Sequence, residues 1–494
     1  MMKRASMLAC LLLLCFVPFR IAAQTAGTGA ITGTVVDSSG ATVSGASVTV
    51  RNSSTGETRS VVSASDGTFR AALLSPATYT VSVEKTGFKT VAQSNIQVVV
   101  TEIAKITFTL QPGAIAEKVE VRANEEMVQT ESSALGRVVN EEAVTSLPLV
   151  TRNYTQILSL SPGVIAPVNN ATDLGRGNGG LSGIIGGFGN DASIHANGNR
   201  SIDNNFQMNG LQVNDLSGGP GGGGVPIPNP DTIEEFKVQT GQYDASFGRN
   251  AGASVELMTR SGTNSFHGNV FEFFRNTVLN ANDYFFIQAG QPRGVLDENQ
   301  FGGTLGGPLK KDKVFFFGSY QGTRQRNGVT AGCFSTMFLP PLTNDRSALG
   351  IAQVFNGQTG ALENAAIQAG LPPFLFPAID ASSPNGNGTP NPYNINPVAL
   401  ALLQMKQPNG NYLIPNPQTA SGLTILQDAC RFNEDQYLAN VDYVQNPRST
   451  FFARYFIANS NETMTFPSAG ISNTNSTIGS PSLTPERFQA LALG

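Results

Sequence analysis

Few side chains in this chain of 494 residues have the type and spacing that chemistry requires. The 2 histidines, His195 and His267, are far apart. No His-Glu-x-x-His run and no cysteine pair at zinc spacing accompanies them, so neither a metal centre nor histidine-based catalysis is expected. Both are read as structural or surface residues. Asp173, Asp191, Asp203 and Asp215 scatter through Gly/Asn-rich sequence without EF-hand spacing, which leaves calcium the lesser reading. The Gly-rich stretches Gly175–Gly189 and Gly218–Gly224 lack Gly-Lys-Ser/Thr and are read as flexible loops rather than phosphate cradles. Of the 4 cysteines, Cys10 and Cys15 lie in the N-terminal apolar run, leaving Cys333 and Cys430. Outside the cytoplasm these two can form a disulfide, stabilising by roughly 4–5 kcal/mol on the chain-entropy view. The alternative is two free thiols. No enzyme activity, cofactor or metal is expected.

The N-terminus has the layout of a secretory signal over residues 1–23. Lys3 and Arg4 are the basic region, Met7 to Val17 the apolar core, and Ile21-Ala22-Ala23 the small-residue cleavage site. The apolar run is shorter than the ~20 residues that span a bilayer as a helix. Net charge is −4 with a pI of about 5.4, so nucleic acid is excluded as a partner. Charged residues make up only 13% of the chain, against about 25% in ordinary soluble proteins. The 53 glycines favour turns, loops and strands over helices.

The positioning elements are mainly β. Residues 25–112 show short alternating strands separated by turns, the pattern of a β-sandwich. Asp66-Gly67 before Phe69 is its strongest hairpin signal. Residues 113–126 form a linker with one extended run, Lys118-Val119-Glu120-Val121-Arg122. Residues 127–250 mix strands and Gly-rich loops with two short helices, one capped by Asn140 and one over Tyr154–Leu160. From Ala251 to Gly494 apolar residues alternate with polar ones. Tyr437, Ala439, Val441 and Tyr443 are expected to face lipid; Gln436, Asn440 and Asp442 are expected to face inward. Phe451, Ala453, Tyr455 and Ile457 continue the apolar face, while Phe452 and Phe456 interrupt the polar one. Such strands, with short turns at one end and a long loop (about 324–434) at the other, are expected in an outer-membrane β-barrel. Val314-Phe315-Phe316-Phe317 taken alone fits a soluble core equally well. The chain lacks Trp, so Phe and Tyr would have to supply the aromatic girdle.

The first segment resembles the carboxypeptidase regulatory-like domain, a transthyretin-like sandwich, through Gly33–Asp37, Gly45–Val50, Asp66–Phe69 and Leu74–Val81. It departs from the pattern at Ala77, where the family usually has Gly. The family's sandwich carries no catalytic residue. The remainder resembles TonB-dependent outer-membrane receptors, in particular the Oar-like branch. The carriers are Asn197–Ser201, Asn204-Asn205-Phe206, Asn209-Gly210, Pro230–Val238, Phe247–Gly252, Thr259–Asn264, Phe266-His267-Gly268 and Asn299–Gly322.

The resemblance implies an α/β plug over 127–250, followed by the first strands of an incomplete antiparallel transmembrane barrel. It also implies an outer-membrane location and energy-coupled uptake of an extracellular ligand (carbohydrate, peptide or metal chelate). TonB and its inner-membrane energising complex would be the partners, with outer-membrane lipid around the barrel. TonB would take an extended peptide as an added strand. Val119, Glu120 and Val121 are the contact candidates, with an ordinary linker or sandwich strand as the alternative. About six strands can be placed after Ala251, far short of the ~22 of such a barrel, so a fragment or truncated product is expected. The competing reading is a surface-exposed or secreted sandwich protein that binds or adheres without transport.

Overall fold

The computed structural model describes residues 27–113, 118–122, 134–149, 152–166, 194–200, 203–214, 227–243, 250–282, 284, 287, 293–329, 333–356, 397–408, 410–418, 422–447, 449–465 and 482–494. The expected signal peptide, both Gly-rich stretches, and Asp173, Asp191 and Asp215 lie outside the described residues.

Eight strands build the N-terminal unit: β1 (Gly29–Asp37), β2 (Ser47–Asn52), β3 (Thr58–Val62), β4 (Thr68–Leu74), β5 (Ala77–Glu84), β6 (Thr90–Val98), β7 (Ile103–Leu110) and β8 (Lys118–Arg122). They form two sheets, ordered β4-β1-β7 and β3-β2-β5-β6-β8. Alternation in sequence becomes burial in space. Val48, Val50, Val81, Val83, Ile106 and Phe108 turn inward into one apolar cluster, and their polar neighbours turn out. Gly67 has φ +73°, and a Cβ there would come within 2.7 Å of the Val35 carbonyl oxygen, so the Asp66-Gly67 turn admits only glycine. The run in the expected linker is β8, paired in parallel with β6 from Thr90↔Lys118 to Ser94↔Arg122.

The second unit contains β9 (Leu135–Asn140), α1 (Glu141–Ser146), a 3₁₀ helix (Tyr154–Leu160), β10 (Val164–Ile165), β11 (His195–Ala196), β12 (Asn205–Met208), β13 (Leu211–Gln212), β14 (Ile233–Gly241) and β15 (Ser254–Thr259). Asn140 caps α1 by accepting the Ala143 N–H at 3.1 Å. Asn209 and Gly210 both have positive φ, +52° and +77°, as a two-residue primed hairpin turn requires. The main sheet runs β13-β12-β15-β14-β9. Here the expected boundary at residue 250 is corrected. Ser254–Thr259 alternates as a barrel strand would, but it is a central strand of this sheet, flanked by β12 and β14. Val255 and Leu257 enter the apolar core beside Phe236 and Val238, while Ser254 and Glu256 turn to the other face.

The third unit holds β16 (His267–Arg275), β17 (Leu296–Lys310), β18 (Val314–Asn327), β19 (Phe334–Phe338), α2 (Ala348–Asn356), α3 (Pro397–Gln404), β20 (Leu423–Gln427), β21 (Cys430–Asn446), β22 (Ser449–Met464) and β23 (Ser482–Leu493). Six strands make one antiparallel sheet in the order β16-β17-β18-β21-β22-β23. The strands β17, β18, β21 and β22 have 15, 14, 17 and 16 residues, more than the roughly 9–11 that cross a bilayer. A tight turn at Lys311–Lys313 and the pairing of Asn446 with Ser449 close one end. At the other, residues 328–429 join β18 to β21. This connection is shorter than the expected 324–434, because both strands continue further. It carries its own antiparallel strand pair, β19–β20, and a small core of Leu342 and Ile351. Cys333 and Cys430, 97 positions apart in the sequence, are joined as a disulfide with Cα atoms 5.2 Å apart. It closes the root of the connection, where Asn327 pairs with Cys430.

Replacing Cys333 and Cys430 by Ser should leave the sheet in place and loosen the connection. The expected result is faster protease cleavage between residues 339 and 422, with unchanged outer-membrane yield, read by mass mapping of the fragments.

Candidate functional site

The sheet of the third unit has two chemically distinct faces, and the second unit sits against one of them. Tyr437, Val441 and Tyr443 on β21, and Phe451 and Tyr455 on β22, are exposed on the outer face. On the inner face Gln436 and Asn440 are 3% and 1% exposed. Gln436 donates to the Ile227 carbonyl at 2.9 Å. Asn440 donates to the Thr259 hydroxyl at 2.9 Å and to the Arg260 carbonyl at 2.7 Å. Arg454, ion-paired with Asp442 on the neighbouring strand, reaches Ser261 Oγ at 2.8 Å. Each bond runs from the wall to the plug or to the junction after it. The inner face is not wholly polar: Phe317, Leu438 and Phe456 belong to the plug's apolar cluster. Phe456, which breaks the alternation in sequence, is therefore a plug contact.

A second set of contacts ties the plug to β16. Arg152 lies with its guanidinium 4.5 Å from the Phe271 ring centre and 4.2 Å from that of Phe273. It also pairs with Asp231 and donates to Asn229 Oδ1 at 2.8 Å. Asp231 in turn accepts from Asn269 Nδ2 at 2.6 Å. The planar guanidinium can stack on rings and fork to a carboxylate together, which an ammonium cannot. Arg260 forms a further pair with Glu141 at the start of α1.

The plug sheet is equally two-sided. Glu235, Lys237 and Gln239 alternate on one face of β14, with Glu256 opposite Lys237, and all four are buried. Burial pushes Glu235 up to about 8, with Glu234 and Glu102 adding to the rise; the Val100 N–H and Lys237 oppose it. Burial likewise pushes Glu256 to about 8, opposed by the Gly210 N–H that its Oε1 accepts at 3.0 Å. Among the described residues its Oε2 is buried without a hydrogen-bond partner.

The residues singled out in sequence fall in separate places. Val119, Glu120 and Val121 form the middle of β8, at the edge of the sandwich sheet beyond β6. Cys333 and Cys430 are at the far end of the sheet from the short turns. His195 Nδ1 lies 3.1 Å from the Asn199 carbonyl oxygen, and His267 stacks on Phe317 at the start of β16. Asp203 is paired with Arg200 in a local loop. Among the described residues no group of three or more His, Cys, Asp or Glu side chains could hold a metal ion, and no helix is long and apolar enough to cross a membrane. Arg152 and Glu256 were not singled out from sequence. The one available signal was a lone charge inside an apolar or alternating run, in a chain with few charges.

Residues 258–492 match the outer membrane beta barrel domain family, and residues 30–111 match the carboxypeptidase regulatory-like domain family. A curated relative, the TonB-dependent transporter Oar of Myxococcus xanthus, is 28% identical over 292 residues, covering 55% of this chain and 25% of the relative. Among solved structures, the outer membrane transporter YddB of Escherichia coli superposes with a TM-score of 0.41 at 12% identity, covering 75% of this chain and 38% of that one. A mutant of the ferric enterobactin receptor PfeA of Pseudomonas aeruginosa superposes with a TM-score of 0.35 at 14% identity, covering 73% and 46%. These two superpositions are loose.

Arg152→Ala should destabilise the plug by at most about 3 kcal/mol, because it leaves the partly buried Asp231 without its cation. Arg152→Lys should recover only part of this. The urea midpoint of the plug transition checks both. The pH response follows from the two raised carboxyls. Their contribution is intact below the ordinary value of 4.5 and is lost as pH rises towards about 8. The plug midpoint should therefore fall between pH 5 and 8.5, and the double variant Glu235→Gln, Glu256→Gln should flatten that fall.

Proposed function

We propose, for a chain that belongs to the TonB-dependent outer-membrane receptor family and is related to Oar, that it forms the N-terminal part of the machinery for energy-coupled uptake of an extracellular ligand. Its place is the outer membrane. The observation that supports uptake best is the seam between plug and wall. Gln436, Asn440 and Arg454 hold the plug through hydrogen bonds to its backbone and hydroxyls. Water can replace such bonds one at a time, which leaves the contacts of Phe317, Leu438 and Phe456 as the apolar part of the seam that a pull must part. A purely adhesive protein has no need of a replaceable seam inside a lipid-facing wall.

In this reading the pull enters through Val119, Glu120 and Val121. The segment is extended, lies between the sandwich and the plug, and sits at a sheet edge where a partner strand can add. TonB is the partner, and main-chain hydrogen bonds supply much of the grip. The ligand is a carbohydrate, a peptide or a metal chelate, bound on the side of the long connections. The related Oar is named as a TonB-dependent transporter.

The test is capture of the detergent-solubilised chain by the immobilised periplasmic domain of TonB from the source organism. The unaltered chain should be retained. Val119→Pro with Val121→Pro should lower retention at least tenfold, since proline removes ladder donors. Equal retention would move the contact elsewhere, and no retention of either would sink the TonB reading.

A further inference from the structure

We propose that the N-terminal sandwich is a strap that fastens the plug to the wall from the short-turn side, and that it must let go of β14 before the plug can shift.

The grip on the plug is a three-point contact. Three successive residues in the turn between β6 and β7 meet three alternate side chains of β14. The Val100 N–H donates to Glu235 Oε1. Gln239 Nε2 donates to Thr101 Oγ1 at 3.2 Å. Lys237 pairs with Glu102 at 3.0 Å. Side chains at i, i+2 and i+4 on a strand project from one face, so the turn lies on that face. Thr101 is held at φ +57°, a left-handed conformation that a non-glycine residue keeps where its surroundings hold it. Beside it, Gly27 lies so close to the plug that a Cβ would come within 2.6 Å of Met258 Sδ on β15.

The covered face explains itself only with the sandwich in place. The opposite face of β14 and β15 carries Phe236, Val238, Val255 and Leu257 into the plug core. The gripped face carries Glu235, Lys237, Gln239 and Glu256, residue types suited to water, yet each is buried. Charged side chains are seldom buried unless paired. Here the turn supplies Glu102 to the lysine and a backbone N–H to Glu235.

The second foot stands on the wall. Asn264, in the segment entering β16, donates its backbone N–H to the Ser54 carbonyl at 3.1 Å and its side-chain amide to the Thr55 carbonyl at 2.9 Å. That amide also reaches Asp312, in the tight turn between β17 and β18, at 2.7 Å. Thr450, next to the turn between β21 and β22, donates to Glu57 at 2.7 Å. Residues 54–57 form the tip between β2 and β3, whereas residues 100–102 join β6 to β7. One rigid sandwich thus holds the plug at one point and the short turns of the wall at another. The consequence for uptake rests on the receptor reading above; the strapping does not.

The experiment uses the chain in detergent micelles, spin-labelled at Arg70→Cys in the sandwich and Glu272→Cys on β16. Pulsed dipolar spectroscopy reads the distance distribution, and near-native wall folding is checked by heat-modifiable gel mobility. The labelled parent should give one narrow distribution. Glu102→Lys should reduce the narrow population at least fivefold, Lys237→Glu likewise, and the two together should restore it. If Lys237→Glu does not fold, Asn264→Ala with Glu57→Gln releases the other foot without touching the plug and should broaden the distribution. A broad distribution in the parent, or a narrow one in Glu102→Lys, overturns the proposal. Neither TonB nor a ligand enters this readout. A narrow parent distribution beside failed TonB capture would sink the receptor reading and leave the strap standing.

Discussion

A sheet with one face in lipid must keep its backbone paired within itself and turn its unmatched chemistry inward. The rest of this structure depends on how that inward face is satisfied. On β18, β21 and β22 it presents Gln436, Asn440 and Arg454 together with Phe317, Leu438 and Phe456. Left alone, the polar residues would want water and the aromatic ones would not. The plug answers both, offering the Ile227 and Arg260 carbonyls to the amides and Phe236, Leu257 and Tyr154 to the rings' cluster. Arg152 repeats the solution at β16, stacking on two rings while paired to a carboxylate.

Much of the architecture was legible because burial acts on alternate residues. The sandwich strands, the outward Tyr437, Val441 and Tyr443, and the inward Gln436 and Asn440 follow from a period of two and a single apolar side. The same rule misplaced Ser254–Thr259. A strand inside the plug has an apolar core on one face and a covered polar face on the other, so its alternation mimics that of a wall strand. Phe456 looked like a fault in the pattern because the sequence does not show that an apolar domain fills the space behind it. Arg152 was illegible for a related reason. Its partners Asp231, Phe271 and Phe273 come from distant segments, and no local spacing connects them. The extended character of residues 118–122 was legible from Val119 and Val121; their pairing with β6 was not, because parallel partners leave no turn signal between them.

The sandwich is more than an appended module in this arrangement. Its core would be complete without the plug, since the apolar residues of both sheets close on one another. The face of β14 and β15 opposite the plug core is not complete without a neighbour. Glu235, Lys237 and Glu256 are enclosed there; the first two take a partner from the sandwich turn at residues 100–102, and Glu256 takes one from the plug's own turn at residue 210. The dependence therefore runs one way, from plug to sandwich.

The disulfide at Cys333–Cys430 fixes the spacing of two strand ends whatever lies between them. Asn327 and Cys430 are the last rung of the β18–β21 ladder, and the bridge lies just past it. The intervening segment has its own antiparallel strand pair and small apolar cluster, so its folding makes few demands on the wall. Such a segment behaves as a cassette: its sequence can be lengthened, shortened or exchanged while the register beneath it is conserved. Diversification of the outward-facing surface is thereby separated from preservation of the membrane-spanning scaffold.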